Sequence, residues 1–207
     1  MQFLCIALFV IAIQQSCFAD SVKVYKKNGL SVKVVDKNSG LPSKEIQNMV
    51  TTFFSVYPKM MREYNPKSAK DVTLEFDPNY AGLSAPAGNI IHFSVSYHKN
   101  VPNDLNVVVF KAMSLVQYPS APDMVLNTAI PGYVTKYQFG VNNATTLFSN
   151  AYNSMADFLK AIEDKHKGAV KALFNAAHNK QSYDINIWKK LTGSTLQELL
   201  MNYQTMG

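Results

Sequence analysis

Four side chains could handle protons or a metal near neutral pH: His92, His98, His166 and His178. His92 and His98 flank a predicted strand, and their spacing puts both on one side only if the chain stays extended between them. So placed they could ligate a metal, but an exposed or hydrogen-bonded pair is the simpler reading. His166 and His178 fall among Lys and Asn, on predicted helix surfaces that face solvent. The acidic residues are scattered and suggest no carboxylate pair. No Gly-x-Ser-x-Gly elbow, Walker loop or dinucleotide fingerprint is present. Tyr80, Tyr97, Tyr118, Tyr133 and Tyr137 are either core residues or the lining of one groove. Without a catalyst, such a groove would suit a peptide or a glycan.

The elements that must position these groups follow from hydrophobic period. Ser21–Tyr25 and Leu30–Val35 alternate apolar and polar residues around Lys27-Asn28-Gly29, which predicts a hairpin with one buried face. A helix is predicted from Pro42-Ser43, with Ser43 accepting from the first free N–H groups. Ile46, Met49, Val50, Phe53, Phe54 and Tyr57 form its apolar stripe, and Pro58 is expected to kink or split it. Val72–Phe76 and Ile90–Ser96 read as strands, joined by a small-residue loop over 80–89. From Pro102 onward the pattern is helical, near 105–117, 122–138, 147–164, 168–179 and 195–204, with Asn103 or Asp104 as a cap. Strands early and helices late imply an α+β domain.

Met1 to Ala19 carries no charge and holds a ten-residue apolar core from Leu4 to Ile13. That is short for a membrane span and fits a signal peptide, with Cys17-Phe18-Ala19 as the small-residue end before Asp20. The expected mature chain, 20–207, is one secreted domain with no membrane span. Both cysteines, Cys5 and Cys17, fall in the leader. The mature chain then has neither a disulfide nor a thiolate site, and its core alone must hold it together. The net charge of +6 is spread over scattered lysines. No basic run interleaves with aromatics, which argues against nucleic acid; anionic glycans or cell surfaces are conceivable partners. Asn143-Ala144-Thr145 is an N-glycosylation sequon in a polar stretch.

From about Lys70 onward the chain resembles the basic secretory protein family of zincin-like peptidases. Ala87-Gly88-Asn89-Ile90-Ile91-His92-Phe93-Ser94-Val95-Ser96-Tyr97 is similar to that family's Gly-Asn-x-Ile-His edge strand. Tyr152–Leu159 resembles a later helix, and Trp188–Leu200 resembles the family's Leu-x-Gly ending. Between them, 107–116 stands where the family carries His-Glu-x-x-His, two zinc ligands one helical turn apart with a general base between.

Here those three positions are Lys111, Ala112 and Leu115. An ammonium has no lone pair to offer, and neither alanine nor leucine binds metal or takes a proton. Downstream, Thr128 and Gly132 stand where the family carries acidic groups, although a one-residue slip would set Asn127 at the first. The resemblance thus implies a zincin-like frame with no catalytic residues, no metal and no cofactor. Lys111 and Leu115 would make an apolar cleft floor with one cationic rim. The expected function is binding of an extracellular peptide, protein or glycan, in defence or host interaction. Asn89, His92, Tyr97, Lys111, Tyr118 and Tyr133 are the candidate binding residues. Two other readings stand beside it: a hydrolase with an atypical centre involving His92, His98 or Lys111, and an abundant structural or storage secretory protein.

Overall fold

A computed structural model describes residues 20–80, 86–119, 124–141, 150–178 and 184–205. The predicted leader at 1–19 and the sequon at Asn143 lie outside them. So do part of the loop over 80–89 and the predicted starts of the helices near 122 and 147.

Four strands form one sheet in the order β1-β2-β3-β4: Ser21–Lys27, Leu30–Asp36, Asp71–Asp77 and Ile90–Ser94. β1 runs antiparallel to β2, and β2, β3 and β4 are mutually parallel. Asn28 (φ 50°) and Gly29 (φ 76°) supply the left-handed pair that a tight hairpin turn requires. The register sets Val32 beside Val72, Val34 beside Leu74, Leu74 beside Ile91 and Phe76 beside Phe93. These residues form one continuous apolar face. All are buried, and the Phe76 and Phe93 rings stack at 5.0 Å.

Two helices bear on that face. α1 (Ser43–Glu63) buries Met49, Phe53, Tyr57 and Met60, which recur at helical spacing, and α3 (Asn106–Gln117) is buried almost all round. Behind them lie α4 (Met124–Val134) with a π-helical turn at Thr135–Phe139, then α5 (Asn150–Lys165) and α6 (Ala169–His178). The chain closes with α7 (Ile187–Thr192) and α8 (Leu196–Gln204). The fold is mixed α+β, with an N-terminal sheet and a mainly helical C-terminal region.

Several local expectations are corrected. Pro58 does not split α1; it lies on the half-buried side, away from the core residues that hold the helix. Ser43 does not cap α1. Pro42 takes that position, and its carbonyl accepts from the N–H groups of Glu45 and Ile46. Strand β4 ends at Ser94, whose hydroxyl accepts from Tyr97 N–H and starts a short helix, α2 (Val95–Asn100). Asp104 does accept from the Asn106 N–H at the start of α3, although it lies one residue before the formal cap, Leu105. α8 opens on a capping box formed by Thr195 and Glu198.

The hairpin is buried on one side only within β2. On β1, Val22 (54% exposed) and Val24 (56%) face away from the core, while Lys23, Tyr25 and Lys27 pair with Val34, Val32 and Leu30 on the helix side. Tyr25 spans the gap, donating from its hydroxyl to Gln47 on α1. Large-to-small truncation separates the two strands' roles. Phe76→Ala should cost about 3–5 kcal/mol in urea unfolding, and Val24→Thr should stay within about 0.5 kcal/mol.

Candidate functional site

The C-terminal ends of β3 and β4 carry one cluster of polar side chains. Residues at alternate positions of a strand share a face, so Glu75, Asp77 and His92 stand together on the side of the sheet away from the helices. Lys37, just past β2, donates to Glu75 Oε1 and Asp77 Oδ2 at 3.0 Å each. His92 Nδ1 meets the same Glu75 oxygen at 3.0 Å, and the Tyr80 ring lies against the imidazole at 5.1 Å. The hydrogen bond from Lys37 and the Asn79 N–H hold the Asp77 carboxyl below its usual range, and the bond to Asp77, then that to Glu75, raises the lysine. All four side chains keep part of their surface in solvent. The acidic residues do pair here, contrary to the scattered reading. Their sequence signal was the Glu-x-Asp spacing inside a strand.

A second polar group is sealed inside, between α1, α2 and α3. His98 is 1% exposed and Lys111 3% exposed, and neither the imidazole nitrogens nor the amine has a hydrogen-bond partner. Lys111 Nζ lies 5.8 Å from the centroids of both Tyr80 and Phe93, close enough for weak cation–π attraction. Burial alone depresses its pKa from 10.5 to about 8. Glu45 Oε1 approaches His98 Nδ1 to 3.5 Å without forming a hydrogen bond. A carboxylate at that distance would raise an imidazole pKa. Burial, followed by repulsion from Lys111, outweighs it and lowers His98 to about 4. Beside them Tyr97 donates to Asp104 Oδ2 at 2.6 Å, and burial together with that carboxylate pushes the phenol up.

The positions that the resemblance set against the peptidase motif are core. Ala112 and Leu115 are buried, and Lys111 is not a rim but an enclosed amine. On α4, Gly132 is buried and Thr128 half-buried, and no hydrogen bond joins either to Lys111. Among the described residues no three His, Cys, Asp or Glu side chains are placed to hold a metal.

The candidate residues divide rather than converge. His92, Tyr97 and Lys111 neighbour one another through Tyr80, Phe93 and His98. Asn89 is exposed at the opening of β4, where its amide donates to the Asp71 carbonyl and its own carbonyl accepts from Thr73. Tyr118 ends α3 and is largely exposed. Tyr133 packs on Tyr137, which donates to Asp157, so the expected single row of tyrosines is at least two groups. The other histidines also differ from expectation. His98 sits on a helix rather than beside a strand, and His178 stacks on Phe174 at 5.7 Å with Nδ1 against the Gln117 carbonyl. His166 is half-buried.

No family model, curated protein or solved structure matches this chain.

Keeping Lys111 protonated in the fold costs about 3 kcal/mol, from the interval between 10.5 and about 8. Between those pH values the unfolded chain holds more protons than the native one, so stability rises with pH across that window. His98 acts in the same sense lower down. Its contribution is complete above pH 6.5 and lost as pH falls toward 4. Lys111→Met should raise stability at pH 7 by up to about 3 kcal/mol, with the gain over wild type shrinking toward pH 10.5. Paired urea titrations at pH 7 and pH 10 check both the sign and the convergence.

Proposed function

We propose that the protein is a secreted, catalytically inactive relative of zinc metallopeptidases that acts by binding an extracellular peptide or glycan. The observation that carries this reading is the contrast between the two polar groups. Lys111, Ala112 and Leu115, set against the peptidase motif, are buried and offer no metal ligand or general base. Lys37, Glu75, Asp77 and His92 reach solvent and are mutually oriented. A ligand would meet the outer sheet face at its β3–β4 end. The carboxylates there accept hydrogen bonds, Lys37 donates, His92 offers its second ring nitrogen, and the Tyr80 ring supplies an apolar wall. β4 is the edge strand on that side, and part of its margin is occupied by the Ala87–Ile90 bridge. Recognition by side chains on the face fits this better than addition of a full new strand.

The packed floor around Lys111 and Leu115 favours a second reading, an abundant structural secretory protein with no specific ligand. Glycan and peptide arrays probed with the secreted protein decide between them. The binding reading expects a restricted set of ligands, lost in His92→Ala and Glu75→Gln variants that unfold like wild type. Uniformly blank arrays support the structural reading instead. Zinc measured at one ion per natively purified chain, or cleavage of a peptide pool abolished by chelator, would overturn both.

A further inference from the structure

α8 is a helix without a buried residue. Leu196, Leu199, Leu200 and Tyr203 recur at the helical period, yet each is only half-covered where it rests on the core. Two large apolar side chains stand further out, Ile185 (58% exposed) before α7 and Met201 (51%) on α8. Between α7 and α8 these residues border a groove of about 480 Å³. That volume falls within the range of small-molecule sites.

The charges around the groove are uneven. Among the described residues Lys189 is the one charged side chain in its lining. It forms no ion-pair contact among the described residues, whereas the adjacent Lys190 is engaged by Asp184 at 2.8 Å. Glu198, the nearest acid on α8, turns back to accept from the N–H and hydroxyl of Thr195 at 2.7 and 2.9 Å, so it acts on Lys189 through charge attraction and not through a direct ion-pair contact. The groove thus has an oily floor and one cation, with its remaining polar groups supplied by neutral side chains.

We propose that the α7–α8 groove takes a long-chain carboxylate, its alkyl chain lying on Leu196, Leu200, Met201 and Ile185 and its head group meeting Lys189. The site is separate from the sheet face and does not rest on the binding role proposed for it. Covering Met201 and Ile185 removes apolar area that the chain itself leaves in water, which supplies the affinity. The solvent-exposed ion pair adds selectivity for the acid.

Dodecanoate and dodecanol, titrated calorimetrically into the full secreted chain below their aggregation limits, test this. The single tryptophan, Trp188 on α7, serves as a local fluorescence reporter. Saturable one-to-one binding of dodecanoate is expected. Lys189→Met should weaken the acid by about 1.5- to 5-fold, the range of an exposed ion pair, and leave the alcohol unchanged. Met201→Glu, at an exposed position, should abolish both. The proposal fails if dodecanoate does not saturate, if binding survives Met201→Glu, or if Lys189→Met weakens acid and alcohol alike. It fails equally if the groove is filled by a second copy, shown by a dimer that Met201→Glu dissolves without any dodecanoate binding.

Discussion

A sheet that is apolar on one side only must be covered there, and in this chain that requirement organises nearly everything else. The ladder from Leu30, Val32 and Val34 through Val72, Leu74 and Phe76 to Ile91 and Phe93 gives α1 and α3 a surface to pack on. α3 in turn becomes the central helix, with α1, α4 and α6 around it. Burying α3 on all sides has a cost. Whatever stands on its sheet-facing turn is drawn into the interior, whether apolar like Ala112 and Leu115 or cationic like Lys111. The same geometry leaves Glu75, Asp77 and His92 on the outer side of the sheet, so the molecule's exposed polar network and its sealed amine are two results of one layer arrangement.

How much of this was legible in the sequence depends on which physical signal each feature carries. Strands β2 and β3 and helices α3, α5, α6 and α8 announce themselves by period, because burial on one face imposes alternation of two or recurrence near 3.6. Period does not say which face is covered. In β1 the valines alternate properly, yet pairing with β2 turns them outward and sends Lys23 and Lys27 to the helix side. The end of β4 was missed because Ser94 has two possible roles. It continues an alternating pattern, but its hydroxyl caps α2, and that cap carries His98 inward. Pro58 misled for the opposite reason: the strong apolar stripe of α1 outweighs the one hydrogen bond that proline cannot make.

The candidate site was less legible than the fold. His92 was identifiable, but Glu75 and Asp77 on β3 and Lys37 just past β2 come from elsewhere in the chain and meet it only through register. Lys111 was expected at a rim because the resemblance set it beside Leu115 on a cleft floor, whereas its amine is buried. Nothing in its neighbours' identities reveals that Tyr80 and Phe93 close over it. The tyrosines show the same limit. Tyr80 and Tyr97 adjoin the sealed group, whereas Tyr133 and Tyr137 belong to the side near Asp157.

Strand β1 has a consequence for how copies of this protein behave toward one another. It is an unpaired margin of the sheet, bearing Lys23, Lys26 and Lys27 within seven residues, and none of these lysines forms an ion pair among the described residues. Two such margins brought side by side would place like charges across the new ladder, so electrostatic repulsion guards the border that backbone hydrogen bonding leaves open. That protection is ionic and therefore conditional. It weakens as salt shortens the reach of the charges, and it would be cancelled by acylation of the amines or by a polyanion laid along the strand.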